Sequence, residues 1–341
     1  MKRVNIGGQA VMEGVMMKGP DSYALAVRKP DKEIEVKVTP YQSFGDKHKV
    51  FTIPILRGIV NFIESLYIGM KKLMDSSEYF MEEEEDINKK ENNKKENNKK
   101  ENNKNDINTI DDNKIKDSKK NNNKDKNKEE SSSAYLIGTL LVSIVMAVAI
   151  FMLLPAYVSG FLYKVTNSNM IVNIVEGILR LLIFLGYVAA ISQMEDIKRT
   201  FMYHGAEHKT INCMEAGLDL TVENVRKSTR FHKRCGTSFV FIVMLISIFV
   251  FMFINTDVLW IRLVSRILLI PFIAGISYEF IRYAGRHQNT CSNILSAPGL
   301  WVQRLTTKEP DDTMIEVAIK SVEGVIDWKE YVECVRNNSF E

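Results

Sequence analysis

The sequence predicts an α-helical polytopic membrane protein. It has about four transmembrane helices, a small N-terminal β-hairpin with an amphipathic helix, and a short helical C-terminal tail. Three observations carry this expectation. Four apolar runs approach or exceed the roughly 20 residues a helix needs to cross a bilayer core. Basic residues crowd the loop between the second and third runs. A charged, low-complexity stretch sets the first run apart from an alternating N-terminal region.

Residues 1–81 read as a cytoplasmic region. Tyr23–Val27 and Glu33–Val38 alternate as strands do, and Arg28-Lys29-Pro30-Asp31-Lys32 connects them as a hairpin. The preceding stretch, Gly7 to Pro20, is rich in glycine and reads as a tight structural loop, with the alternative that Gln9 and Glu13 contribute polar groups to the candidate site. Pro54 opens a helical pattern through Ile55, Ile59, Phe62, Ile63, Leu66, Met70 and Leu73. Its period of 3.6, broken by Arg57, Glu64, Lys71 and Lys72, marks an amphipathic helix packed on the bundle or lying in the headgroup layer.

Residues 82–133 form an Asn/Lys/Glu-rich insert. The Glu-Asn-Asn-Lys-Lys repeat, from Glu91 and again from Glu96, has almost no apolar side chain to offset ordering entropy, so a disordered spacer is expected.

The bundle occupies 134–296. Its expected spans are Ala134–Leu154, Met170–Ile191, Thr237–Ile254 and Val258–Tyr283. The first and third carry no charge. The second carries Glu176 and Arg180, and the fourth Arg262, Arg266, Glu279 and Arg282. Charges at that depth mark either a solute path or interhelical ion pairs. The 192–236 loop holds Lys198, Arg199, Lys209, Arg226, Lys227, Arg230, Lys233 and Arg234, whereas Pro155–Asn169 holds only Lys164. The positive-inside rule then makes that loop and both termini cytoplasmic. Residues 297–341 form the tail. Pro298-Gly299-Leu300-Trp301 suits a turn with an interfacial aromatic, and Asp311 or Asp312 can cap a helix over Met314, Ile315, Val317, Ala318 and Val322.

The formal net charge of +3 averages a polar half with an apolar half and gives no case for a nucleic-acid partner. Met1-Lys2-Arg3 leads to Gly7 and Gly8, not to an apolar signal core. The 4 cysteines are therefore expected as thiols or metal ligands in a reducing compartment.

The most informative stretch is Tyr203-His204-Gly205-Ala206-Glu207-His208. On a helix, His204, Glu207 and His208 share one face. Two neutral imidazoles can hold a divalent metal, zinc foremost, while a neighbouring Glu takes a proton from water. This helix can run to Glu215, with Gly217 as its C-cap. His232 and Cys235 follow just before the third span. Glu279 lies near the inner end of the fourth, with His287 and Cys291 beyond it. Ligand count decides the type of site. His204, His208, His232 and Cys235 together would close a structural site. The two motif histidines with Glu279 or Glu215, or with His232 or Cys235, would leave an open position with Glu207 as base.

The segments Gly7–Pro20, Tyr203–Thr210, His232–Phe239, Ser277-Tyr278-Glu279 and Pro298–Trp301 resemble the bacterial YqhQ-like membrane proteins. That is a family of unknown function, often labelled a predicted metal-dependent enzyme. The resemblance implies metal roles for His204, Glu207 and His208 and for His232 or Cys235, in a multi-pass protein of the bacterial cytoplasmic membrane. The expected activity is metal-dependent and hydrolytic, with Glu207 catalytic and a membrane-associated substrate. The alternatives are a transporter or channel with a metal-supported gate, and an assembly factor with a structural metal.

Overall fold

The computed structural model describes residues 6–101 and 142–339, apart from positions 48, 144, 167, 255, 257 and 288, and the side chains of 46, 47, 49, 80–101, 259, 286 and 291 are not described. The described chain is mostly helical, with one small sheet. It divides into two units, residues 1–81 with 166–341, and residues 82–165.

The sheet of the first unit is an antiparallel meander in the order β1-β2-β3-β4: Gly7–Val11, Gly14–Lys18, Ser22–Arg28 and Ile34–Pro40. The expected hairpin is β3–β4. The glycine-rich stretch expected as a loop is instead the hairpin β1–β2, turned at Met12-Glu13 with Glu13 at φ 47°. Its glycines hide the alternation of a strand but serve close packing. A Cβ on Gly14 would lie 2.3 Å from the Ala26 carbonyl oxygen of β3.

Each face of the sheet buries a separate core. On one face Val15, Met17 and Ala26 pack with Tyr203, Ile211 and Met214 of one helix and Ile315, Val317 and Val322 of another. These helices are α4 (Glu195–Glu215) and α9 (Asp312–Glu323). On the other face Val11, Met16, Tyr23, Leu25 and Val27 receive Ile68 of α1 (Leu56–Glu101). Asp311 caps α9 by accepting from the Met314 N–H at 2.9 Å. Short helices α5 (Val222–Lys227) and α10 (Trp328–Asn337) complete this part.

Helix α1 extends through Glu101, so the first part of the Asn/Lys/Glu-rich stretch is helical. The rest of the expected spacer, and Ala134–Leu141 of the first expected span, lie outside the described residues.

The apolar helices are α2 (Val145–Lys164), α3 (Asn169–Ile191), α6 (Gly236–Phe251) and α7 (Leu259–Arg286). Three of them, not four, are long and apolar enough to cross a membrane: α2, α3 and Trp260–Gly285 within α7. Helix α6 has 16 residues, about 24 Å of rise against a hydrocarbon core of about 30 Å. The apolar run at 237–254 counts turn residues as span. The chain leaves the helix at Phe251, and the Ile254 carbonyl accepts from Asn173 Nδ2 at 3.0 Å. In the second unit, α2 continues past Leu154 because a wide π turn at Ala149–Leu153 precedes Pro155, which lacks the N–H a regular turn would use. Most of the expected polar link 155–169 is therefore helical.

Pro298-Gly299 is not a turn either. It lies inside α8 (Thr290–Thr306), where a Cβ on Gly299 would fall 2.7 Å from Ser238 Oγ. That glycine lets α8 pack closely along α6.

Candidate metal centre

Helix α4 positions the motif. Its first turn carries Glu195 and Asp196, which suit a helix N-terminus, and Gly217 (φ 71°) ends the helix as expected. The helical period then stacks His204 on His208, with ring centroids 4.4 Å apart. Cys235 arrives from the N-cap of α6. The available ligand atoms of His204, His208 and Cys235 lie within 4.8 Å of one another.

The second nitrogen of each ring is also committed. His204 Nδ1 is 2.8 Å from the Thr306 carbonyl oxygen, and His208 Nδ1 is 2.6 Å from the Arg230 carbonyl oxygen. A carbonyl only accepts, so each Nδ1 carries the proton and donates it. In the neutral rings both Nε2 lone pairs then face inward. His204 Nε2 is 3.2 Å from Cys235 Sγ.

The electrostatics show the same demand for positive charge. Burial, the largest influence on His208, opposes a charged ring, but the Cys235 and Glu207 charges beside it lift its pKa to about 9. His204 is raised as well, burial again being outweighed, chiefly by Cys235. Burial pushes the Cys235 thiol up, yet the two facing imidazoles hold it well below its ordinary value.

Glu207 is 3% exposed, and its Oε2 lies 3.4 Å from His208 Nε2. A cavity of about 70 Å³ opens on the cluster, walled by Ile6, Gly7, Gly8, Glu207, His232 and Arg234 besides His204, His208 and Cys235.

The remaining predicted residues divide. His232 borders the cavity, its ring 5.6 Å from that of His208, but its Nε2 faces Glu215 at 3.7 Å. Glu215 also pairs with Arg234, and although burial raises its pKa, those partners bring it down to about 2. Glu215 thus faces His232 and Arg234 and lies outside the cluster of His204, His208 and Cys235. Glu279 is not in the cluster: it forms a two-pronged ion pair with Arg57 at the start of α1. A carboxylate there answers a guanidinium 222 residues away in the chain, a pairing that local spacing cannot reveal. His287 is exposed and stacked on Tyr283, and the Cys291 side chain lies outside the described residues. Gln9 bonds to the Gly69 carbonyl and Glu13 pairs with Arg199, so neither reaches the cavity.

Sequence reasoning missed the Thr306 and Arg230 carbonyls and the wall made by Gly7 and Gly8. It also missed Gln303, which is buried, accepts from the His232 N–H at 2.8 Å and donates to the His232 carbonyl and to Ser238 Oγ, each at 2.7 Å. Backbone groups leave no signal in residue type, and Gln303 sits in an ordinary helical pattern.

Fold and cluster together define a class: apolar helices joined to a small α/β unit, with a His-His-Cys cluster formed by the connecting helix α4 and the N-cap of α6. A family model described as "Protein of unknown function (DUF1385)" matches residues 53–328, and the chain belongs to that family. It is similar to "Uncharacterized protein YqhQ" of Bacillus subtilis (strain 168), at 35% identity over 319 residues, covering 92% of this chain and 90% of that protein. The resemblance drawn from the motifs therefore holds. No solved structure matches.

Proposed function

We propose that this protein is a membrane-associated, metal-dependent hydrolase whose centre is His204, His208 and Cys235, with Glu207 as general base. One observation carries the reading. Carbonyl oxygens hold both Nδ1 atoms as donors, so two lone pairs and a thiolate converge within 4.8 Å. Three acceptors facing one another call for positive charge among them, which a metal ion supplies to all three at once and a proton to two. Histidines that donate their other ring N–H to carbonyls are the usual support of a metal ligand.

Two imidazoles and a thiolate suit zinc. When bound, a divalent ion supplies Lewis acidity and makes water a nucleophile near neutral pH. Three protein ligands beside a cavity favour an open, catalytic set, because the fourth candidate, His232, is engaged by Glu215. Glu207 stands against His208 at the cavity wall, where a base is needed. The three long apolar helices, with outward Ile178, Leu182 and Leu268 all strongly exposed, favour a bilayer as surroundings.

Elemental analysis of the purified protein tests this reading. About one zinc per chain is expected, lost in a His204→Ala/His208→Ala variant, while Glu207→Gln keeps the metal and abolishes function in cells. Equal, negligible metal in wild type and double variant would remove the premise.

A second reading follows from Cys235 Sγ lying 3.2 Å from His204 Nε2 at a helix N-terminus, the arrangement of a thiol nucleophile with its base. Metal-free protein that is active, insensitive to chelator and inactivated by iodoacetamide would favour it.

A further inference from the structure

Strand β1 lies at the edge of the sheet, paired with β2 on one side and, among the described residues, with no strand on the other. An edge strand presents a row of N–H and C=O groups that templates pairing with another extended chain, and proteins commonly blunt it with charge or proline. The segment Gly7-Gly8-Gln9-Ala10-Val11 contains neither. Gly7 and Gly8 are exposed, and a Cβ on Gly7 would meet nothing within 4 Å.

Parity decides which groups face outward. Val11 and Gly14 close a two-residue turn, and such turns close on a hydrogen-bonded pair. Alternation then directs the N–H and C=O of Val11, Gln9 and Gly7 to β2, and those of Gly8 and Ala10 away from it. Met17, opposite Gly8, agrees. Its N–H donates to Ser321 Oγ, which in turn donates to the Ala24 carbonyl of β3.

The same two glycines wall the cavity of His204, Glu207, His208 and Cys235. Among the described residues, a strand edge that no other strand pairs, and whose one face packs on α4, therefore adjoins the cavity beside His204, His208 and Cys235. We propose that the substrate of this site is an extended polypeptide segment, seated as a fifth strand on the outer edge of β1 and paired with Gly8 and Ala10. The proposal rests on the metal-centred reading above. Glycines at 7 and 8 admit a second backbone without a side-chain clash. Strand addition draws affinity from main-chain bonds and so tolerates varied side chains. In the hydrolysis, water oxygen bonds to the scissile carbonyl carbon and the C–N bond breaks. The proton taken by Glu207 passes to the departing nitrogen, so no oxidant or reductant is required.

Zinc-loaded full-length protein in nanodiscs provides the test, with calorimetric titration of four probes. These are acetohydroxamate, an acetylated tetra-alanine hydroxamate, and two forms of that peptide, each N-methylated at one of the two alternate sets of amides. The peptide should bind roughly 30-fold or more tighter than acetohydroxamate, as expected for two or more added hydrogen bonds. Methylating one alternate set should cost about tenfold or more and the other set almost nothing, since only alternate amides of a strand face its neighbour. Ala10→Pro removes an outward N–H at a position where an edge strand accepts proline. It should keep its zinc and melting temperature and weaken the peptide about tenfold, but not acetohydroxamate. Equal affinity for all probes with zinc bound would overturn the polypeptide proposal and leave the metal centre standing. Protein that holds no zinc and binds no hydroxamate would remove the metal-centred reading, and this proposal with it.

Discussion

Gly8 shows how much of this site is decided by one residue without a side chain. A Cβ there would lie 2.6 Å from Glu207 Cγ, 2.9 Å from Glu207 Oε1 and 2.8 Å from Met17 Sδ. Glu207 is buried beside His208, so its carboxylate has little room to yield. Gly8→Ala should therefore push Glu207 off its position while leaving His204, His208 and Cys235 in place. The expected loss of stability is about 1–2 kcal/mol, the scale of modest overpacking. Function should fall about a hundredfold or more, the lower range of what a displaced general base costs, with metal content unchanged. Gly7→Ala, where the added methyl meets open space, is the control and should behave as wild type. Metal analysis, thermal unfolding and complementation in cells separate these outcomes. Equal behaviour of the two variants would mean that Glu207 is not held by this contact.

At the scale of elements, α4 is where sequence and structure agree most closely, and the reason is physical. A helix repeats every 3.6 residues, so His204, Glu207 and His208 share a face wherever the helix packs. Cys235 was legible for a related reason, as a thiol delivered to the start of an apolar run. The partners that orient the ligands were not. Thr306 and Arg230 contribute carbonyl oxygens, which every residue has, and Glu279 lies apart from the cluster because it pairs with Arg57 of another helix. The β1–β2 hairpin was hidden by the glycines that its packing requires. Gly205, inside the motif, has a packing role of the same kind. A Cβ there would fall 2.0 Å from the Lys308 carbonyl oxygen, and the Lys308 N–H donates to the Phe201 carbonyl at 2.9 Å. Helix α4 and the strand-like segment after α8 thus touch backbone to backbone. Because that contact adjoins Thr306, Gly205→Ala should both destabilise the fold, by about 3 kcal/mol or more as backbone overpacking does, and weaken zinc binding through His204. A chelator competition run beside thermal unfolding would show both losses. Unchanged zinc affinity in a destabilised variant would show that the Thr306 carbonyl does not govern His204.

For the whole molecule, the buried charges of the apolar helices bear on whether the protein moves a solute or anchors a site. Glu176 of α3 is 1% exposed and contacts Arg180, Arg262 and Arg266, and Arg266 Nη2 also donates to Asn173 Oδ1 at 3.1 Å. The guanidinium groups of Arg180 and Arg266 stand over the Phe251 ring at 5.6 and 5.2 Å. One carboxylate thus ties α3 to α7 while Phe251, the last residue of α6, packs against its partners. Such mutual engagement resembles a fastening more than a path, since a conducting carboxylate must be able to exchange partners with the solute. From Glu176 to Ile191 the helix rises about 22 Å, and α4 with His204 and His208 follows directly. The cluster therefore braces the element that leads into the site. Glu176→Gln leaves buried guanidinium groups facing a neutral amide and should cost about 3–5 kcal/mol, the scale of breaking a buried ion pair from one side. Protein that still folds should retain its zinc, because the substitution lies far along α3 from His204. A lower melting temperature with full zinc occupancy, and no change in ion flux through proteoliposomes, is the expected result. Loss of a measurable flux without loss of stability would instead assign these charges to transport.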